Sequence, residues 1–215
     1  MSSTQPAVTY SSYLQVEELL NLQKPLSNGP EHDELLFIII HQSYELWFKS
    51  ILHELARTQS ELEGGNTHFA LALLGRVRTI LKVLVSQVDI LETMTPLQFN
   101  SFRDRLEAAS GFQSAQFREL EAVFGRRDRA MVDHLPTGNA RSRVEDAMQR
   151  RSLWESVLKY LEKRGHTSEP DLHTTLINVY RNDAESASVL EKLVDIDEGL
   201  QEWRYRHVKM VERTI

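Results

Sequence analysis

The sequence contains no cysteine, which excludes disulfides, zinc–thiolate sites and thiol nucleophiles. Long hydrophobic runs are missing too, because the longest uninterrupted apolar stretch, Leu35–Ile40, is far too short to cross a bilayer. The first residues do not combine a basic segment with an apolar core, so no signal peptide is predicted. We therefore expect a cytoplasmic protein without a membrane partner.

Basic residues are fewer than acidic ones, since the chain has 25 lysines and arginines and 31 aspartates and glutamates. The chain has no basic stripe interleaved with aromatic residues, and this excludes nucleic acid as a partner class. Its composition, 41% hydrophobic and 26% charged, is that of an ordinary globular protein. A chain of 215 residues can bury one core, so we expect a single domain over residues 1–215.

No segment alternates polar and apolar residues with a period of two over several strands, while almost every segment shows helical periodicity. The sequence therefore predicts an all-α fold, a bundle of long helices with a small helical lobe in 125–185. Thr95 and Pro96 are typical of a helix start, and Gly64–Asn66 of a helix end. The helices are predicted over Val16–Leu22, Asp33–Glu63, Phe69–Met94, from Pro96, and over Gln113–Val123, Ser142–Lys163, Thr174–Arg181 and Asp183 to the end.

Two histidines fall on apolar helical faces. His41 follows Phe37 and precedes Tyr44 at helical spacing, so its imidazole is expected to face aromatic neighbours. His207 follows Trp203 on the last predicted helix in the same way. The simplest interpretation of each is a core histidine with one hydrogen-bond partner. If both faced one cavity, the missing cysteines and the aromatic stripes would suit a haem plane better than a small ion.

Arg103 is the third unusual residue, because it lies on a partly apolar helical face between Phe99 and Leu106. It is either a solvated arginine whose stem covers apolar surface, or a guanidinium fork that binds a substrate carboxylate through two parallel hydrogen bonds.

Four blocks of sequence resemble one family, the tryptophan 2,3-dioxygenases. The resemblance extends over roughly Tyr10–Ile215 and is weakest over 125–185. The blocks are HDELLFIIIHQSYELWFK at 32–49, LETMTPLQFNSFR at 91–103, ASGFQSAQFR at 109–118 and WRYRH at 203–207.

The resemblance implies an enzyme of tryptophan catabolism in the kynurenine pathway, with haem b as its cofactor. It would insert both atoms of O2 across the indole C2–C3 bond of L-tryptophan to give N-formyl-L-kynurenine. By motif position His207 matches the axial ligand of the haem iron, and His41 the catalytic distal histidine that hydrogen-bonds the indole N–H. Arg103 matches the residue that binds the substrate carboxylate, and Phe37 and Phe99 match the walls of the indole pocket.

Further expectations come from the same resemblance. Ser110 and Gly111 match a segment that lines the distal face near the haem. The family forms homotetramers, in which an N-terminal arm, here 1–30, reaches into a neighbouring subunit's site. A Gly/Thr/Ser-rich loop that closes over substrate is expected to be absent after Ile215. The arm residues that match substrate-binding positions are Tyr10, Tyr13 and Leu14.

Two other functions stay open at this point. A haem-dependent mono-oxygenase acting on another indole or aromatic amino acid would use the same scaffold, although the set of Phe37, His41 and Arg103 favours free tryptophan. A non-catalytic helical assembly module is the third possibility, and the missing closing loop is its only support.

Overall fold

The computed structural model describes residues 7–29, 31–106, 113–167 and 171–214. Within these ranges the chain is helical and shows no strand, which confirms the all-α prediction. A 3₁₀ turn at Asp104–Leu106 follows the fifth helix. The α-helices are α1 (Tyr10–Leu14), α2 (Val16–Leu20), α3 (Asp33–Gly64), α4 (Thr67–Leu91), α5 (Pro96–Arg103), α6 (Ala115–Val123), α7 (Ala130–Asp133), α8 (Asn139–Gln149), α9 (Leu153–Lys163), α10 (Leu172–Asn182) and α11 (Ala184–Thr214).

Three long helices form the main core. Gly65 ends α3 in the left-handed conformation at φ 85°, a position that glycine adopts without a Cβ penalty, and this confirms the predicted break. The chain reverses there, so α4 packs antiparallel to α3, while α11 runs parallel to α4. An ion pair of 2.7 Å between Arg78 and Asp195 joins these last two helices, and Arg206 bonds both Asp89 and Glu92 farther along. The interior shared by α3, α4 and α11 holds fully buried aliphatic residues, including Ile51, Leu55, Leu74, Leu81, Leu84 and Val88.

A second, smaller core lies between α6, α7 and α8, built around Met131, Val132 and Val144. The predicted lobe over 125–185 is therefore too long at its C-terminal side, because α9 packs on α3 and α10 on α11 in the main bundle.

The predicted single helix over Ser142–Lys163 is wrong, since α8 ends at Gln149 and α9 begins at Leu153. Arg150 is extended, and Ser152 caps α9 by exchanging hydrogen bonds with Glu155 in a capping box. No helix in the described ranges is long and apolar enough to cross a membrane.

Candidate active site

A cavity of about 790 Å³ opens between α3, α5, α6 and α11. Its size is in the range of small-molecule and cofactor sites. The five residues assigned by motif position to the haem iron, the indole and the carboxylate line it together: Phe37, His41, Phe99, Arg103 and His207. Aromatic and aliphatic side chains complete most of the wall, among them Tyr44, Phe48, Leu91, Met94, Phe117, Trp203, Val208 and Met210.

His41 enters this cavity from the middle of α3. Its Nδ1 lies 2.7 Å from the carbonyl oxygen of Phe37, one helical turn earlier. A carbonyl can only accept, so Nδ1 carries the proton and Nε2 keeps its lone pair. Burial lowers the pKa of His41 and outweighs the opposing effects of the Phe37 hydrogen bond and of the charge on Glu45. The imidazole is therefore neutral at neutral pH, with Nε2 as an acceptor.

His207 lines the cavity from α11. Its ring stacks on Trp203 with centroids 5.3 Å apart and planes 22° from parallel. Burial lowers the pKa of His207, and the proximity of His41 lowers it further. Neither ring nitrogen is hydrogen-bonded to a residue that the structure describes. A neutral imidazole with a free nitrogen is the form that binds a metal.

Helix α5 supplies Phe99 and Arg103. The predicted start of this helix is confirmed, because Thr95 caps it in a capping box with Gln98 and Pro96 occupies its first position. Phe99 is buried and packs 5.7 Å from Phe37, centroid to centroid. Arg103 is exposed at the rim, its guanidinium 5.8 Å from the Phe99 ring centroid, and makes no ion pair within the described ranges.

Comparison with known proteins places this geometry in a family. The family model described as tryptophan 2,3-dioxygenase matches residues 2–166. A tryptophan 2,3-dioxygenase of Herpetosiphon aurantiacus is 52% identical over 97% of the chain and 86% of its own length. One from Anaeromyxobacter sp. strain K is 54% identical over 100% of the chain and 86% of its own length. The chain belongs to the tryptophan 2,3-dioxygenase family. A more distant relative of the same name, from Caulobacter vibrioides, is 40% identical over 97% of the chain and 86% of its own length.

Family membership confirms the resemblance carried by the four sequence blocks and the expectation of an enzyme. The block at 203–207 lies beyond the range that the family model matches, but within the span shared with relatives that cover 97% of the chain or more. Among the described residues no group of three or more metal-ligating side chains could hold an ion by itself.

The N-terminal positions of the tryptophan 2,3-dioxygenase motif lie apart from this cavity. Tyr10 and Tyr13 are 77% and 76% exposed on α1, and Leu14 is also exposed. None of the three lines the cavity of its own chain. Ser110 and Gly111 lie outside the described residues, so their predicted place near the distal face stays a prediction.

The base of the N-terminal segment is fixed on α3. Glu34 accepts hydrogen bonds from the backbone amides of Leu26 at 2.7 Å and Ser27 at 3.1 Å. Farther along α3, the side chain of Gln23 donates to that of Gln42 at 2.5 Å. The segment is thus anchored at two points, and α1 and α2 project beyond them.

Two cavity residues were not singled out by the sequence. Tyr44 donates its hydroxyl hydrogen to the carbonyl of Leu84 at 3.2 Å, and burial raises its pKa to about 12. Glu45 follows His41 by four residues and binds the start of α6 through both carboxylate oxygens. The spacing of four predicts a shared helical face, but the partners of Glu45 lie about 70 residues away.

Proposed function

We propose that this chain is a haem-dependent tryptophan 2,3-dioxygenase that converts L-tryptophan and O2 into N-formyl-L-kynurenine. The observation that carries the proposal is the pair of half-buried, neutral histidines on α3 and α11 that line one cavity with Arg103 at its rim. Each element matches one demand of the reaction: a cofactor ligand, a partner for the indole N–H and a cation for the amino acid carboxylate.

The residues present fit a haem. His207 offers a neutral ring nitrogen without a hydrogen-bond partner among the described residues, and those residues hold no group of three or more metal-ligating side chains that would bind a small ion. The wall beside it is aromatic where Trp203 and Phe117 meet, with ring centroids 5.0 Å apart. His207 would hold the haem iron, and the bound haem would supply the activation of O2.

The remaining residues bind and orient the substrate. Nε2 of His41 accepts the indole N–H, while Phe37 and Phe99 pack against the ring and exclude water. Arg103 binds the carboxylate through its planar fork, which matches two oxygens at once. The arm residues Tyr10, Tyr13 and Leu14 are exposed in one chain, and we propose that they complete the site of a neighbouring subunit in a homotetramer.

The test is an anaerobic absorbance spectrum of the haem-reconstituted ferrous protein with and without L-tryptophan, followed by addition of O2. A histidine-ligated spectrum that shifts with tryptophan, and then a product heavier by two oxygen atoms, would support the proposal. A product heavier by one oxygen atom would assign the chain to mono-oxygenation. Protein without a haem spectrum would exclude both reactions.

A further inference from the structure

Glu45 joins α3, the helix that carries His41, to the opposite wall of the cavity. Its Oε1 accepts from the hydroxyl of Ser114 at 2.5 Å, and its Oε2 accepts from the side-chain amide of Gln116 at 2.8 Å. The same amide of Gln116 also donates to the backbone carbonyl of Glu45 at 2.9 Å. Three hydrogen bonds, two of them to a charged acceptor, therefore hold the start of α6 against α3 one turn after His41.

The start of α6 carries an aromatic contact that leads to His207. Ser114 is the N-cap of α6 and accepts from the backbone amide of Phe117 at 3.1 Å. The Phe117 ring lies 5.0 Å from Trp203, centroid to centroid, and also 5.5 Å from Phe48. Trp203 in turn stacks on His207.

Among the described residues, Trp203 provides the ring contact of His207. Metal-binding histidines commonly fix their ring by donating the second N–H to a carboxylate or carbonyl. In the described part of the chain His207 has no such partner, whereas its flat contact with Trp203 is close and nearly parallel. Trp203 also meets Tyr44 and Phe48 of α3 at 5.9 Å each, but Phe117 is its nearest aromatic contact besides α3, so a displacement of Phe117 would loosen the packing of Trp203.

We infer that Glu45 is a positioning residue for His207, acting through the start of α6 and the contact of Phe117 with Trp203. The inference rests on the proposed function, because it concerns the residue that would hold the haem. A carboxylate suits the role because it accepts from two donors at once. Glutamine keeps one acceptor for Gln116 and can donate its amide hydrogen to the Ser114 hydroxyl, so Glu45→Gln should rescue much of what Glu45→Ala loses.

Glu63 provides a matched control on the same helix. It accepts from the Ser156 hydroxyl at 3.0 Å and from Arg151 at 2.6 Å, and so ties α3 to α9 away from the cavity. Glu63→Ala removes a comparable set of hydrogen bonds without touching α6. Thermal unfolding of both alanine variants shows that each is folded and how much general stability each has lost.

The first measurement is amide hydrogen exchange of α6 in the haem-free chain. Glu45→Ala should speed exchange at Phe117 and Arg118 by about tenfold, and Glu63→Ala should leave it unchanged. The second is the rate of haem transfer from the reconstituted protein to an excess of a haem-scavenging protein. That rate should rise by about tenfold in Glu45→Ala, stay near the wild-type rate in Glu45→Gln, and be unaffected by Glu63→Ala.

Three results would overturn the inference: unchanged exchange in α6 of Glu45→Ala, wild-type haem release from that variant, or equal acceleration of release by Glu63→Ala. Failure of the proposed function is recognised separately, because the wild-type chain would then bind no haem while the exchange measurement still reports whether Glu45 holds α6.

Discussion

The imidazole of His41 donates from Nδ1 to the backbone carbonyl of Phe37, over 2.7 Å, and the two rings lie only 4.1 Å apart between centroids. The carbonyl therefore selects the tautomer, and the phenyl ring restricts rotation of the imidazole. Together they leave a single acceptor, Nε2, available to a ligand in the cavity. This arrangement predicts that His41 favours ligands with an N–H that can donate to Nε2 over ligands without one.

We expect His41→Ala to keep its haem but to bind L-tryptophan about 5- to 10-fold more weakly, the value of one hydrogen bond. Binding of tryptophan methylated at the indole nitrogen should change much less, because that ligand has no N–H to donate. Spectral titrations of both ligands against wild type and variant give the four affinities. His207→Ala is the contrasting variant and should lose the haem; the opposite pattern would mean that the two histidine roles are reversed.

Substitution of Arg103 should affect substrate affinity most. Arg103→Leu is expected to raise the tryptophan KM by about 10- to 100-fold, because a charge-assisted hydrogen-bond pair with the carboxylate is lost. Arg103→Lys should recover part of the affinity, since it keeps the charge but not the fork. Steady-state kinetics with tryptophan and with tryptamine, which lacks the carboxylate, test the assignment. Arg129, exposed and outside this cavity, is the control; an equal loss with tryptamine would argue against carboxylate binding.

The two half-buried histidines should make the haem-free fold sensitive to mild acid. Burial lowers the pKa of both His41 and His207 in the folded state, so the unfolded chain binds protons more readily as pH falls below about 6.5. Their contribution is thus fully present above that pH, and the free energy of unfolding declines below it. Chemical denaturation at pH 8 and pH 5.5 measures the decline.

In a double variant with His41→Gln and His207→Gln, neither position titrates and the decline between the two pH values should be smaller. His68, which is exposed on α4, provides the control as His68→Gln. An equal decline in the double variant would show that other groups cause the acid sensitivity.

The arm can be tested by mixing two impaired variants. Tyr13→Ala should lower turnover while leaving the stability of the chain within about 0.5 kcal/mol, because the residue is exposed. If arms are exchanged, co-assembly with His41→Ala produces some sites with an intact His41 from one subunit and an intact Tyr13 from the other. Activity of the mixture should then exceed that of either variant alone. No gain on co-assembly, shown by size-exclusion chromatography to have occurred, would place the arm's action within its own chain or outside the reaction.

Much of the site could be predicted because its signals are local. The positions of Phe37 and His41 on one face follow from helical spacing, and the end of α3 follows from Gly65, the residue that adopts positive φ at least cost. The start of α5 is also a local signal, because Thr95 is its N-cap and Pro96 its first residue. The functional roles of these residues came from the four family blocks, not from periodicity.

What was missed depends on distant contacts or on competing local signals. The break before α9 has a signature, Ser152 followed three residues later by Glu155, but apolar periodicity continues through it and favoured one helix. The bonds from Glu45 to Ser114 and Gln116 span about 70 residues, and nothing within a helical window reports them. The second core spans less of the chain than the predicted lobe over 125–185, and this too depends on a distant contact. Helix α9 packs on α3, which lies far earlier in the chain, and so belongs to the main core.

The two histidines are carried by continuous helices, α3 of 32 residues and α11 of 31. The helical face on which each histidine lies is therefore set by helical phase rather than by loops. Each added residue rotates everything downstream by about 100°, so one insertion between Leu200 and Trp203 would turn His207 out of the cavity without removing any functional side chain. We therefore expect exposed connections between helices to accept changes in length, whereas the interiors of these two helices should not.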